Sequence, residues 1–144
     1  MKTINFFLIL IFLLANTECQ KSDLNQDHSL LMGVWTFTAI QNVKTFQITN
    51  YPDSIPKKQS ITITDSLSKI KFGGVCNKGW CTYSINGCKI SISLIMTTKF
   101  LCKDIIWEEY LQNNLENAFM YSICADQLII RSCGTYNLIF KKKQ

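Results

Sequence analysis

Histidine is almost missing from the 144-residue sequence: His28 is the only one. It lies in a polar terminal segment of a kind seldom tied down, which argues against Ser-His-Asp and Cys-His catalysis and against the usual catalytic zinc sites. There is no glycine loop able to cradle a phosphate and no nucleophile elbow. No apolar run reaches the about 20 residues that a helix needs to cross a bilayer. Proline is confined to Pro52 and Pro56, in "NYPDSIP", which marks a loop. Concentrated charge is lacking too. The net charge of +5 is carried by scattered lysines, apart from Lys141, Lys142 and Lys143 at the C-terminus. Nucleic-acid binders gather such charge on one face, so no nucleic acid is expected as a partner. The terminal lysines read as a solubilising tail rather than as a contact for a polyanion or a membrane surface.

What is present begins with Lys2, an unbroken apolar run over residues 6–15, and polar residues from Asn16. This is the pattern of a signal peptide, assigned to residues 1–19, and it predicts an extracytoplasmic mature protein. Two cleavage positions remain open. A cut after Cys19 removes that residue with the peptide. A cut before it makes Cys19 a lipid-modified N-terminus, the only membrane contact expected, although Glu18 is a poor residue ahead of such a site. Either way seven cysteines become six: Cys76, Cys81, Cys88, Cys102, Cys124 and Cys133. An even set in an exported chain of this length reads as a disulfide framework. An all-cysteine zinc site is the weaker reading. Such sites show two tight cysteine pairs, whereas the later cysteines here come singly.

Residues 20–29 are polar and without period, as in a flexible leader, and residues 30–144 suit a single domain. "GVWTFTAI" places Trp35, Phe37 and Ala39 on one face of a strand. "SITITDSLSKIKF" gives two alternating pieces, with Ile61, Ile63, Ile70 and Phe72 inward, as in a hairpin. "CTYSINGCKISISL" carries Asn86-Gly87, a strong hairpin signal, with Ile90, Ile92 and Leu94 expected toward the core. From Asp104, read as an N-cap, the period becomes helical through Trp107, Leu111, Leu115, Ala118 and Phe119. "DQLIIRS" and "NLIF" form a closing hairpin. Together these predict an α+β domain, mainly β: a small barrel of antiparallel strands covered by one amphipathic helix near the C-terminal third.

Paired carboxylates would suit glycosidase chemistry. Glu108 and Glu109 are neighbours on the helix and point in different directions, so both read as a solvated face. Trp35, Phe37, Phe72 and Trp107 occupy apolar faces and read as core. By elimination the chain is expected not to be an enzyme, and to carry no cofactor or metal.

The order of landmarks resembles the META domain of HslJ-type bacterial proteins. The matching residues are the tryptophan strand "GVWTFTAI", the glycine turn into a hairpin "GGVCNKGWCTYSING", then "TTKFLC", "EEYLQNNLENAFMY" and the closing "LII…NLIF". The resemblance spans about residues 30–142. It implies a lipocalin-like β-barrel with a helix, in an envelope or secreted setting; family members have been linked to stress and antibiotic tolerance. The family's two motif cysteines fall on Cys76 and Cys102, which implies a Cys76–Cys102 bridge. Cys81, Cys88, Cys124 and Cys133 depart from the common pattern and are expected as additional bridges whose pairing is open. The expected function is a monomeric, exported, non-catalytic domain that meets a protein or envelope partner. The alternative is a carrier of a small hydrophobic ligand in the barrel interior.

Overall fold

A computed structural model describes residues 27–144; the signal-peptide reading and Cys19 lie outside them. A 3-10 turn, His28–Leu31, leads into β1 (Gly33–Asn42), which is followed by β2 (Ile48–Asn50), β3 (Ser60–Thr64), β4 (Lys69–Gly73), β5 (Lys78–Asn86), β6 (Lys89–Ile92) and β7 (Met96–Thr97). The single α-helix among the described residues, α1 (Ile106–Glu116), precedes β8 (Ala118–Cys124), β9 (Gln127–Ser132) and β10 (Tyr136–Lys142). The eight strands β10-β9-β8-β6-β5-β4-β3-β1 form a closed antiparallel barrel, sealed by the pairing of β1 with β10. β2 adds to the upper part of β1, and β7 adds to β5. This is the mainly β barrel with one helix that the alternating patterns predict.

Period-2 alternation sends one set of side chains inward along each strand. Trp35, Phe37, Ile61, Ile63, Ile70, Tyr121, Leu128, Ile130, Leu138 and Phe140 are all essentially inaccessible to solvent. Each such side chain contributes roughly 1.5–3 kcal/mol on burial, and together they fill the barrel. Gly87 takes the left-handed conformation (φ +60°) that the Asn86-Gly87 hairpin turn requires. A bulge between Phe37 and Ala39 bends β1 at mid-strand.

Helix α1 covers one end of the barrel with Trp107, Leu111 and Leu115. Trp107 meets Phe37 edge-on at 5.8 Å, Tyr51 at 4.8 Å and Tyr110 at 5.5 Å between ring centroids. The opposite end is covered by the 3-10 turn, where Trp35 Nε1 donates to the Leu31 carbonyl at 2.8 Å.

Several expectations need correction. The turn at His28–Leu31 begins inside the segment read as a leader, and the His28 ring lies 2.9 Å from the Tyr121 hydroxyl. Leu94 is 72% exposed rather than inward, because β6 ends at Ile92 and the chain leaves the barrel wall there. The helix stops at Glu116, with Asn117 at its C-cap, so Ala118 and Phe119 open β8 instead of extending it. Asp104 does not cap the helix: the cap position is Ile105, which provides no side-chain hydrogen bond.

Candidate functional site

The stretch with the densest chemistry in the sequence, residues 73–81, folds against the first turn of α1. β4 ends at Gly73, and a tight turn closed by Gly74 N donating to Asn77 O (2.9 Å) presents its amides to Glu108. Glu108 is only 3% exposed. Its carboxylate accepts from Cys76 N (2.6 Å), from Asn77 N (3.0 Å) and from Asn77 Nδ2 (2.8 Å). A side chain on Gly74 would collide with the Glu108 carboxylate, so glycine is what permits the approach. Asn77 extends the network outward. Its Oδ1 accepts from Phe100 N (2.8 Å) and from Thr98 Oγ1 (3.0 Å), and its Nδ2 donates to Phe100 O (3.0 Å).

The solvated face expected for Glu108 is not what the fold gives it. Glu109 is exposed, whereas Glu108 turns inward because buried backbone donors await it. The signal lies in Gly74, where the missing side chain makes room for a partner from elsewhere. The fully buried Gln59 completes the arrangement. With its amide oriented to satisfy both atoms, the nitrogen donates to Trp107 O (3.2 Å) and the oxygen accepts from Glu108 N (2.8 Å). Glu108 N is one of the helix donors that a local N-cap normally serves, and Gln59 serves it from the loop before β3. Every donor and acceptor near Glu108 is thus paired within the protein. The arrangement locks turn, helix and loop together and leaves no oxygen directed at a cleft.

Cys76 and Cys102 form a disulfide, with Cα atoms 6.2 Å apart. It ties the same turn to the segment between β7 and α1. Among the described residues this is the one bridge formed. Cys81, Cys88 and Cys133 are free thiols, and strand geometry keeps Cys81 from Cys88. Cys81 points into the barrel from β5 and is a buried thiol, while Cys88 is a half-buried thiol beyond the far end of that strand. Strands rise about 3.3 Å per residue, which separates the two by much more than a bridge allows. Cys124 closes β8 beside the β8–β9 turn, and Cys133 is an exposed thiol at the other end of that hairpin. Burial in apolar surroundings pushes the Cys81 thiol up to about 12, which makes it inert. No three His, Cys, Asp or Glu side chains among the described residues are grouped so as to hold a metal ion.

Outside the barrel wall, the same region forms an open groove of about 410 Å³, lined by Ser60, Thr62, Lys71, Phe72, Gly73, Lys78, Gly79 and Trp80. Gly73 has open space where a side chain would stand, and it makes part of the floor. Trp80 is exposed, with Lys69 Nζ 4.2 Å from its ring centroid. It was not singled out from the sequence, because the strand pattern there is interrupted by Gly79.

No curated protein matches this sequence. An NMR structure of a protein from Burkholderia xenovorans superposes with a TM-score of 0.61 at 14% identity, covering 90% of this chain and 99% of that one. A crystal structure of a DUF4847 family protein from Bacteroides vulgatus gives a TM-score of 0.55 at 14% identity, covering 77% and 92%. At these identities the likeness is one of fold. The META domain matches over residues 28–144, the whole of the barrel, its helix and the pinned turn, and the chain therefore belongs to the META domain family.

Proposed function

We propose that this chain is an exported, non-catalytic META-domain protein, braced by the Cys76–Cys102 bridge, that works in the envelope or the medium through contacts made by its outer surface. The observation that carries this reading is the filled interior. Trp35, Phe37, Tyr121 and Phe140 occupy the barrel, and Trp107 closes its helix end. A carrier of a hydrophobic ligand would need that volume for its cargo. The fully paired Glu108 supports the same reading, since a general acid or base needs a face open to substrate. The disulfide fits an oxidising compartment, as does the signal-like start.

Fluorescence of Trp35 and Trp107, read in a Trp80→Phe variant and titrated with a hydrophobic probe, tests the central point. The expected result is no saturable response. Saturation at one equivalent would overturn the reading in favour of a carrier, and turnover in a hydrolase screen lost on a single carboxylate substitution would overturn it in favour of an enzyme. Intact mass of the secreted protein, before and after reduction, checks export and the bridge.

A further inference from the structure

The lysines read as scattered along the chain are not scattered relative to the acids. From residue 66 through residue 103 the sequence contains no Asp or Glu, yet it contains Lys69, Lys71, Lys78, Lys89, Lys99 and Lys103. The fold turns this run into one side of the barrel, since β4, β5, β6 and β7 are neighbours in the sheet. The ion pairs recorded among the described residues are Lys58–Asp53 and Lys141–Asp126, and neither involves a lysine of this run.

The same side carries a run of exposed apolar side chains. Trp80 and Met96 are directly paired across β5 and β7, both facing out. Leu94 is exposed on the segment just before Met96, while Phe100 and Leu101 follow on the segment leading to α1, with Leu101 95% exposed. These side chains are held on a fixed frame. Thr98 N donates to Lys78 O (3.0 Å), Asn77 grips the Phe100 backbone through both amide atoms, and the disulfide anchors Cys102 to Cys76. Lys71 lies opposite Trp80 in the β4–β5 register.

We infer that this face docks on an anionic lipid surface, with Trp80, Leu94, Met96, Phe100 and Leu101 entering the headgroup boundary and the lysines meeting lipid phosphates. The inference rests on the outer-surface reading above and names its partner. A rigid apolar cluster rimmed by lysines is what interfacial binding requires: burial of the tips combined with attraction to anionic headgroups. A soluble polyanion would use the charge but leave exposed leucine and phenylalanine without a role. A second copy of the chain would set the same positive face against itself, which like charges oppose. The contact is independent of any lipid on Cys19.

The test is flotation of the oxidised mature protein with phosphatidylcholine vesicles, with and without phosphatidylglycerol. Binding to the mixed vesicles, weakened by salt and accompanied by a blue shift of tryptophan emission, is expected. Replacing Lys71, Lys78 and Lys99 by Glu should weaken it by roughly a hundredfold, at about fivefold or more for each lysine. Phe100→Ser with Leu101→Ser should weaken it roughly tenfold or more. Replacing Lys141, Lys142 and Lys143 by Gln should leave it nearly unchanged. All these positions are on the surface, and near-ultraviolet circular dichroism verifies that each variant is folded. Absence of flotation, or flotation abolished only by the C-terminal variant, overturns the inference. Heparin binding that ignores the Phe100 and Leu101 substitutions, without vesicle binding, overturns it in favour of an acidic glycan. Loss of lipid binding together with an unresponsive interior probe would leave the outer-surface reading standing, so the two can fail separately.

Discussion

The two ends of the barrel are closed by different chemistry. At the helix end, the aromatic cluster around Trp107 is fastened by buried polar side chains. Glu108 and Gln59 hold the first turn of α1, and Asn114 holds its later part by donating to Tyr110 O (2.7 Å) and accepting from Tyr136 N (2.9 Å). At the other end, Leu31 and Trp35 provide an apolar cover. Apart from the buried bond of Trp35 Nε1 to Leu31 O, the supporting bonds there, from Lys142 Nζ to Leu30 O (2.9 Å) and between His28 and Tyr121, lie close to solvent. Water can replace those outer bonds, whereas at the helix end a lost partner strands its mate in a dry site. One closure therefore specifies an arrangement, and the other mainly covers a hole.

Mutations at the two ends should separate these roles. The largest effect is expected for Glu108→Ala, which strands the Cys76 and Asn77 donors and should cost about 3–5 kcal/mol in denaturant unfolding. Glu108→Gln should recover part of that. A cost near zero for both would make the two ends equivalent. Next, removing the bridge with Cys76→Ala and Cys102→Ala frees a crosslink with a sequence separation of 26 residues. The loss should be about 3 kcal/mol, concentrated at the helix end and visible as faster amide exchange of residues 94–103.

Between the ends, Cys81 makes stability sensitive to alkali. Burial raises its folded value from 9.0 to about 12. Its contribution is complete below the unfolded value and is lost as pH rises through that window. Burial raises Tyr51, Tyr83 and Tyr121 in the same direction. Stability should fall by about 1.4 kcal/mol per pH step for the thiol alone, and Cys81→Ala should flatten the slope measured by unfolding at successive pH values. Smallest is Lys142→Ala, at less than about 1 kcal/mol, because its bond to Leu30 O and its position 5.0 Å from the Trp35 ring centroid are partly solvated. A cost matching that of Glu108→Ala would mean the end covered by the 3-10 turn is as demanding as the helix end.

Most of the barrel was legible because period-2 patterns and Asn86-Gly87 are local signals. The inward positions of Ile61, Ile63, Ile70 and Phe72 follow directly from alternation. The exceptions arise where distant segments decide. Glu108 resembles any exposed helix acid until the Gly74 turn is brought against it. The strand at Ala118–Cys124 was masked because Ala118 and Phe119 happen to continue the helical period. Trp80 and the acid-free lysine run became visible as one surface only when β4, β5 and β7 were placed side by side. A cysteine count carries no distances, which is why Cys81, Cys88 and Cys133, expected in bridges, are free thiols in the fold.

Gln59 has a consequence for how the chain reaches this structure. The helix borrows its cap from a residue that precedes β3, so α1 has no strong local stop at its own start. Nucleating a helix is costly, and one this short is marginal when isolated in water. A peptide spanning residues 104–117 should therefore be largely unstructured by circular dichroism. In the intact chain, α1 should become firm only after β1 and β3 have met and delivered Gln59, which makes the helix a late event in folding, governed by contacts between parts of the chain that are far apart in sequence.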